Sequence, residues 1–165
     1  MANAVRRIGV FTSGGDAPGM NAAIRSVVRT SLHMGIECIG IRRGYNGLVN
    51  GDFIPLDFES VSGLSRRGGT MLYSARSEDF RGEAGQEKAV ATCKLLGLEG
   101  VVGIGGDGTF RGLLELSRRG VAVVGLPGTI DNDIACSTYT IGFDTACNTA
   151  LDSIDKLRDT MQSHE

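Results

Sequence analysis

The sequence predicts an α/β fold: a mainly parallel sheet with helices on both faces. Three observations predict it. Short apolar runs, too short for helices, recur along the chain; longer stretches with apolar residues every three or four positions alternate with them; and glycine clusters stand where strands hand over to helices.

Arg7-Ile-Gly-Val-Phe11 is the first run and reads as a strand buried on both faces. Ala23, Ile24, Val27, Val28 and Leu32 then recur at helical spacing from Met20, and Gly35 stops them. Glu37 to Ile41 is a second strand. Leu48 to Ile54 encloses Asn50-Gly51, a hairpin signal, with Pro55 suited to a sheet edge. A weaker helical pattern passes through Val61 and Leu64. Glu87 to Leu96 predicts a helix leading into the strand Gly100 to Ile104. A helix through Leu113, Leu114 and Leu116 ends at Gly120, and Val121 to Leu126 is a fourth buried strand. Ala146, Ala150, Ile154, Leu157 and Met161 make Asp144 to about Met161 an amphipathic helix, with an apolar stripe expected to be exposed and prone to association.

Composition narrows the function. The 165 residues carry 17 basic and 19 acidic side chains, a formal charge of −2, and 41% hydrophobic residues. A globular protein with no excess of positive charge is expected to have no nucleic-acid or membrane partner. No apolar stretch approaches the ~20 residues of a membrane span, and Met1 to Arg7 has no signal-peptide core. Cys38, Cys93, Cys136 and Cys147 lack metal-ligand or redox spacing and read as reduced thiols of a cytoplasmic protein. Glycine is the outlier, 25 residues against three prolines, about twice the usual ~7%.

The glycines gather in loops that follow strands, and in a parallel sheet such loops meet on one edge. Thr12-Ser-Gly-Gly-Asp-Ala-Pro-Gly-Met-Asn21 can cradle a phosphate at a helix start or be a tight turn; no Gly-Lys-Ser/Thr follows, which excludes a Walker P-loop. Gly103-Ile-Gly-Gly-Asp-Gly-Thr109 fits a dinucleotide pattern through Gly103, Gly105 and Gly108 but lacks the expected downstream acid. Asp107 suits a Mg²⁺ ion beside phosphates, or a local turn bond. Pro127-Gly-Thr-Ile-Asp-Asn-Asp133 sets two carboxylates two residues apart, where extended backbone points both to one side; one can serve as a base on a hydroxyl.

Val10 to Arg25, Arg67-Gly-Gly-Thr70, Ser74-Ala-Arg76, Gly105 to Thr109 and Pro127 to Asp133 resemble bacterial ATP-dependent 6-phosphofructokinase in composition, order and spacing. The resemblance covers essentially the whole sequence and implies a Rossmann-like nucleotide-binding lobe over residues 1–140. Residues 141–165 would open a sugar-binding lobe that is otherwise missing, leaving the 165 residues alone inactive or very weak. It implies transfer of the ATP γ-phosphate to O1 of fructose 6-phosphate with Mg²⁺, in a cytoplasmic homotetramer of glycolysis. Asp131 would be the base, with Thr129, Asp133 and Arg76 catalytic beside it and Thr129, Ile130 and Asp131 facing the sugar. Gly15, Tyr45, Arg76, Ser77, Gly106, Asp107, Gly108 and Thr109 would bind the nucleotide, Asp107 holding the metal. Gly108 and Gly128 stand where pyrophosphate-using relatives carry Asp and Lys, which implies ATP as donor. Arg25, Arg29 and Arg158 would belong to an effector pocket, but Phe58 replaces an arginine there, and Ser77 stands where an aromatic often follows Ser-Ala-Arg. Two other readings remain: a non-catalytic nucleotide-binding module, and a kinase of the NAD or diacylglycerol type, which shares Gly-Gly-Asp-Gly-Thr but not the Pro127 to Asp133 segment.

Overall fold

The computed structural model describes residues 5–135 and 137–164, so Cys136 and the first four residues lie outside the described part. Five strands, β1 (Arg7–Thr12), β2 (Glu37–Ile41), β3 (Phe53–Leu56), β4 (Gly100–Gly105) and β5 (Val123–Pro127), form one sheet in the order β3-β2-β1-β4-β5. β1 pairs parallel with β2 and β4, and β4 pairs parallel with β5; β3 alone runs antiparallel, along β2.

Alternation along β1 sends side chains to both faces, which is why the run is apolar throughout. Val10 enters the core beneath helix α1 (Met20–His33) with Met20, Ile24 and Val28. Phe11 enters the opposite core with α2 (Tyr45–Asn50), α3 (Glu83–Leu95) and α4 (Asp107–Arg118), through Tyr45, Leu48, Cys93 and Leu116. Helices therefore cover both faces, as the alternating pattern predicts. The chain leaves β1 toward β2 in one direction and reaches β4 in the other, so a crevice opens beyond the carboxyl ends of β1 and β4.

The structure corrects three local expectations. Asn50-Gly51 is not a hairpin turn: Gly51, at φ 71°, closes α2 as a left-handed C-cap, and β3 returns along β2. Gly51 takes the left-handed conformation that a hairpin turn would also ask of it, while Asn50 stays helical. Pro55 does lie on an edge strand. Val61 and Leu64 are buried, but only a single 3₁₀ turn, Leu64–Arg66, forms there. β5 is the other edge rather than a buried strand, with Val124 56% exposed.

The last helix, α5 (Phe143–Gln162), has the expected amphipathic pattern and no buried residue. Leu151, Ile154, Leu157 and Met161 are all exposed. A stripe of this kind favours association. Sedimentation is expected to show concentration-dependent self-association, weakened in an Ile154→Lys/Leu157→Lys variant; an identical monomeric profile for both would contradict this role.

Burial also sets thiol chemistry. It pushes the Cys38 thiol up to about 12 and the Cys93 thiol up to about 11, whereas Cys147 is exposed on α5. At pH 8, iodoacetamide is expected to label Cys147 while Cys38 and Cys93 react only after unfolding, read by peptide mass. Because burial raises both pKa values above the ordinary 9, the unfolded thiols ionise first. Their contribution to stability is complete below pH 9 and declines as pH climbs toward 11–12.

Candidate active site

The loop after β1 starts as a continuation of the sheet, with Ser13 N–H donating to the Ile104 carbonyl of β4 (3.1 Å). Gly14 then takes φ 89°, a conformation open to glycine and costly for a side chain. Gly15 and Gly108 each face open space where a Cβ would project, so backbone is presented directly to the cleft. Asp107, Gly108 and Thr109 form the first turn of α4, whose N–H groups and dipole favour an anion.

The third loop is held from within. Thr129 is buried; its hydroxyl accepts from Asp131 N–H (3.2 Å) and approaches the Asp131 carboxylate at 3.4 Å. Thr140 Oγ1 donates to the Thr129 carbonyl (2.6 Å), and Asn132 Oδ1 accepts from Thr140 N–H (2.9 Å). Asp131 and Asp133 are not on extended backbone as expected, because Asn132 between them is left-handed at φ 50°. Both nevertheless line the same cleft, brought there by a pinned turn rather than by strand alternation.

That cleft, of about 790 Å³, is large enough for a nucleotide. Gly15, Tyr45, Arg76, Ser77, Gly106, Asp107, Gly108, Thr109, Thr129, Ile130, Asp131 and Asp133 all line it, so every nucleotide, metal, sugar and catalytic position singled out in the sequence converges there. Ser77 also accepts a hydrogen bond from Phe80 N–H (3.2 Å), starting the turn Asp79–Arg81. Tyr45 donates its hydroxyl to the Thr109 carbonyl (2.5 Å), and burial drives its pKa upward. The phenol is therefore a structural strut, neutral at ordinary pH.

Sequence reasoning missed Phe80, Arg81, Gln86, Arg111 and Gly112, which also line the cleft. The Phe80 and Tyr45 rings stack at 4.2 Å, and a Cβ on Gly112 would overlap the Tyr45 ring. These residues come from helices and turns with no glycine signature of their own; only Gly112, a glycine inside a helix, hinted at a close approach. Gly128 is not among the residues lining the cleft, and a Cβ there would lie 2.7 Å from the Ile104 side chain.

Among the described residues no three ligating side chains cluster to hold a metal ion. Mg²⁺ held by one carboxylate, water and phosphate oxygens needs no such cluster. Asp107 fits that role: its exposed carboxylate lines the cleft and, among the described residues, is held by a surface pair with Arg111 (2.9 Å), worth at most about 1 kcal/mol. Outside the cleft, the Arg29 guanidinium lies 5.6 Å over the Phe58 ring, and Arg158 pairs with Asp155 of its own helix (3.2 Å). Arg25 is partly buried on α1. Among the described residues no helix is long and apolar enough to cross a membrane.

Comparison with known proteins agrees with this geometry. The phosphofructokinase family model matches residues 7–165. The chain is 60% identical over 161 residues to the ATP-dependent 6-phosphofructokinase of Clostridium botulinum, covering 98% of this chain and 50% of that protein. It is 58% identical over 162 residues to that of Halothermothrix orenii, covering 98% of this chain and 49% of the relative. It thus spans about half the length of the curated relatives it matches. The phosphofructokinase structure from Saccharomyces cerevisiae superposes with a TM-score of 0.86 at 34% identity, over 96% of this chain and 25% of that one. A pyrophosphate-dependent phosphofructokinase from Marinobacter aquaeolei shares the fold, with a TM-score of 0.74 at 19% identity over 84% of this chain and 37% of that one. The chain belongs to the phosphofructokinase family.

Proposed function

We propose that this chain supplies the nucleotide-binding and catalytic-base half of an ATP-dependent 6-phosphofructokinase, which moves the ATP γ-phosphoryl group to O1 of fructose 6-phosphate. One observation carries the reading: the loops after β1, β4 and β5 line a single cleft in which the Thr129 hydroxyl holds both the carboxylate and the backbone N–H of Asp131. Phosphoryl transfer depends chiefly on positioning and charge stabilisation. Gly15, Gly106 and Gly108 present backbone to the polyphosphate, with Ser77 and Thr109 beside them. Asp131 accepts the proton of the sugar hydroxyl, Thr129 orients it, and Asp133 and Ile130 bound the sugar side. Arg76 balances charge as it shifts to the leaving diphosphate. Asp107 would hold Mg²⁺, which neutralises phosphate charge when bound.

Residues 141–165 begin the second lobe in this reading, and the working enzyme is a cytoplasmic homo-oligomer, a tetramer. Arg25, Arg29 and Arg158 form its effector site, with Phe58 stacked on Arg29 in place of a further cation. The 165-residue chain is expected to bind MgATP but to turn over little or no fructose 6-phosphate. A chimera joining it to the remaining half of the Clostridium botulinum relative is expected to form ADP only when fructose 6-phosphate is present. A chimera that folds and binds ATP yet phosphorylates no sugar would overturn the assignment.

A further inference from the structure

Arg76 reaches the cleft on a stretch of chain with little regular structure: between β3 and the turn Asp79–Arg81 only the 3₁₀ turn Leu64–Arg66 forms. Two buried side chains tie that stretch down. Asn21, 3% exposed, donates from Nδ2 to the Arg67 (3.0 Å) and Gly68 (3.1 Å) carbonyls, and its Oδ1 accepts from Met71 N–H (2.8 Å). Thr12, fully buried, donates its hydroxyl to the Tyr73 carbonyl (2.9 Å). That bond uses its one proton, so the Thr70 hydroxyl donates to Thr12 (2.7 Å). At the last anchor the backbone is left-handed: Tyr73 sits at φ 57°, a conformation that a residue with a side chain keeps only when its surroundings impose it.

Thr12 ends β1 and Asn21 lies in the first turn of α1, so the two stand on either side of the glycine loop that carries Gly15. We infer that Thr12 and Asn21 are positioning residues: they clamp residues 67–73 across that loop and so fix how far Arg76 stands from the phosphates that Gly15 cradles. The inference rests on the placing of nucleotide and Arg76 proposed above. An arginine on an untied loop meets a phosphate in only a fraction of the loop's conformations, and binding must then bear the cost of ordering it. Here the side-chain bonds remove that freedom before the nucleotide arrives. Asn46 of α2 completes the hold by donating from Nδ2 to the Arg76 carbonyl itself (3.2 Å).

Calorimetry of MgATP binding to the 165-residue chain tests this through double-mutant cycles. Arg76→Ala is expected to weaken binding about tenfold in the wild type, the loss of one charge-assisted hydrogen bond. In Thr12→Val and in Asn21→Leu, both uncharged and close in size, the same Arg76 change is expected to cost less than about twofold, because the arginine is already out of place. Thr12→Ser keeps the hydroxyl and is expected to keep the full Arg76 penalty. A merely structural role would lower the melting temperature of Thr12→Val and Asn21→Leu and leave the Arg76 penalty unchanged in both. That result would overturn the inference, as would a penalty that vanishes in Thr12→Ser as well. Hydrogen exchange in the unliganded wild type needs no variant: the Met71 amide is expected to exchange at least about a hundredfold more slowly than in an unstructured peptide, and free exchange there removes the clamp. A chain that binds MgATP equally well with and without Arg76 overturns this inference alone, whereas a wild-type chain that binds no MgATP overturns the nucleotide reading too.

Discussion

Asp131→Asn, placed in the chimera with the second half of the Clostridium botulinum relative, is expected to lower kcat by about 10³-fold while leaving ATP affinity within about twofold. The substitution is isosteric. Thr129 can still approach the side-chain oxygen and still accepts from the residue 131 N–H (3.2 Å), so the loop keeps its shape. What disappears is the ability to take a proton. A factor of 10³ corresponds to about 4 kcal/mol of transition-state stabilisation, in the middle of the range one acid–base group contributes. Steady-state kinetics separate the outcomes: a fall in kcat with KM for ATP preserved supports the base, whereas near-normal turnover removes Asp131 from that role. Thr129→Val should fall between, because it leaves the carboxylate in place and frees it to turn away.

Gly105→Ala is expected to destabilise the fold by about 3 kcal/mol and to weaken ATP binding more than tenfold. Gly105 ends β4 at the point where three loops touch. Its carbonyl accepts from Gly128 N–H (3.1 Å), and the added methyl would lie 2.5 Å from the Ser13 carbonyl oxygen and overlap the Thr109 hydroxyl. That hydroxyl donates to the same Ser13 carbonyl (3.1 Å), and the Thr109 carbonyl accepts from Tyr45. Backbone and buried hydroxyls have no slack, so the loops must separate and their N–H groups lose their aim. Urea unfolding reads the stability change and calorimetry the binding; a variant that binds ATP as the wild type does would show that the cradle tolerates a looser crossing.

Most elements were legible because their signals are local. The apolar runs of β1, β2 and β4 and the helical stripes of α1 and α5 depend only on which positions face a core, and each formed where its period placed it. The glycine loops and their carboxylates were legible too, since each is a short run of particular residue types directly after a strand. The failures share a cause. Asn50-Gly51 permits a left-handed glycine in either a hairpin or a helix end, and in the fold Gly51 caps α2, which packs beside α3. Asp131 and Asp133 share the cleft because Asn132, bonded to Thr140 eight residues on, turns the backbone between them.

The sequence by itself determined the α/β class, the strand-loop-helix positions of the glycine and carboxylate motifs and the family they resemble. Only the tertiary structure decided which residues outside the glycine loops line the cleft. Tyr45, the Phe80–Gln86 segment and Gly112 lie far apart in the chain and carry no common spacing. They become neighbours when α2, α3 and α4 pack over Phe11, and packing between distant segments depends on the shape of the whole core rather than on any pattern along the chain.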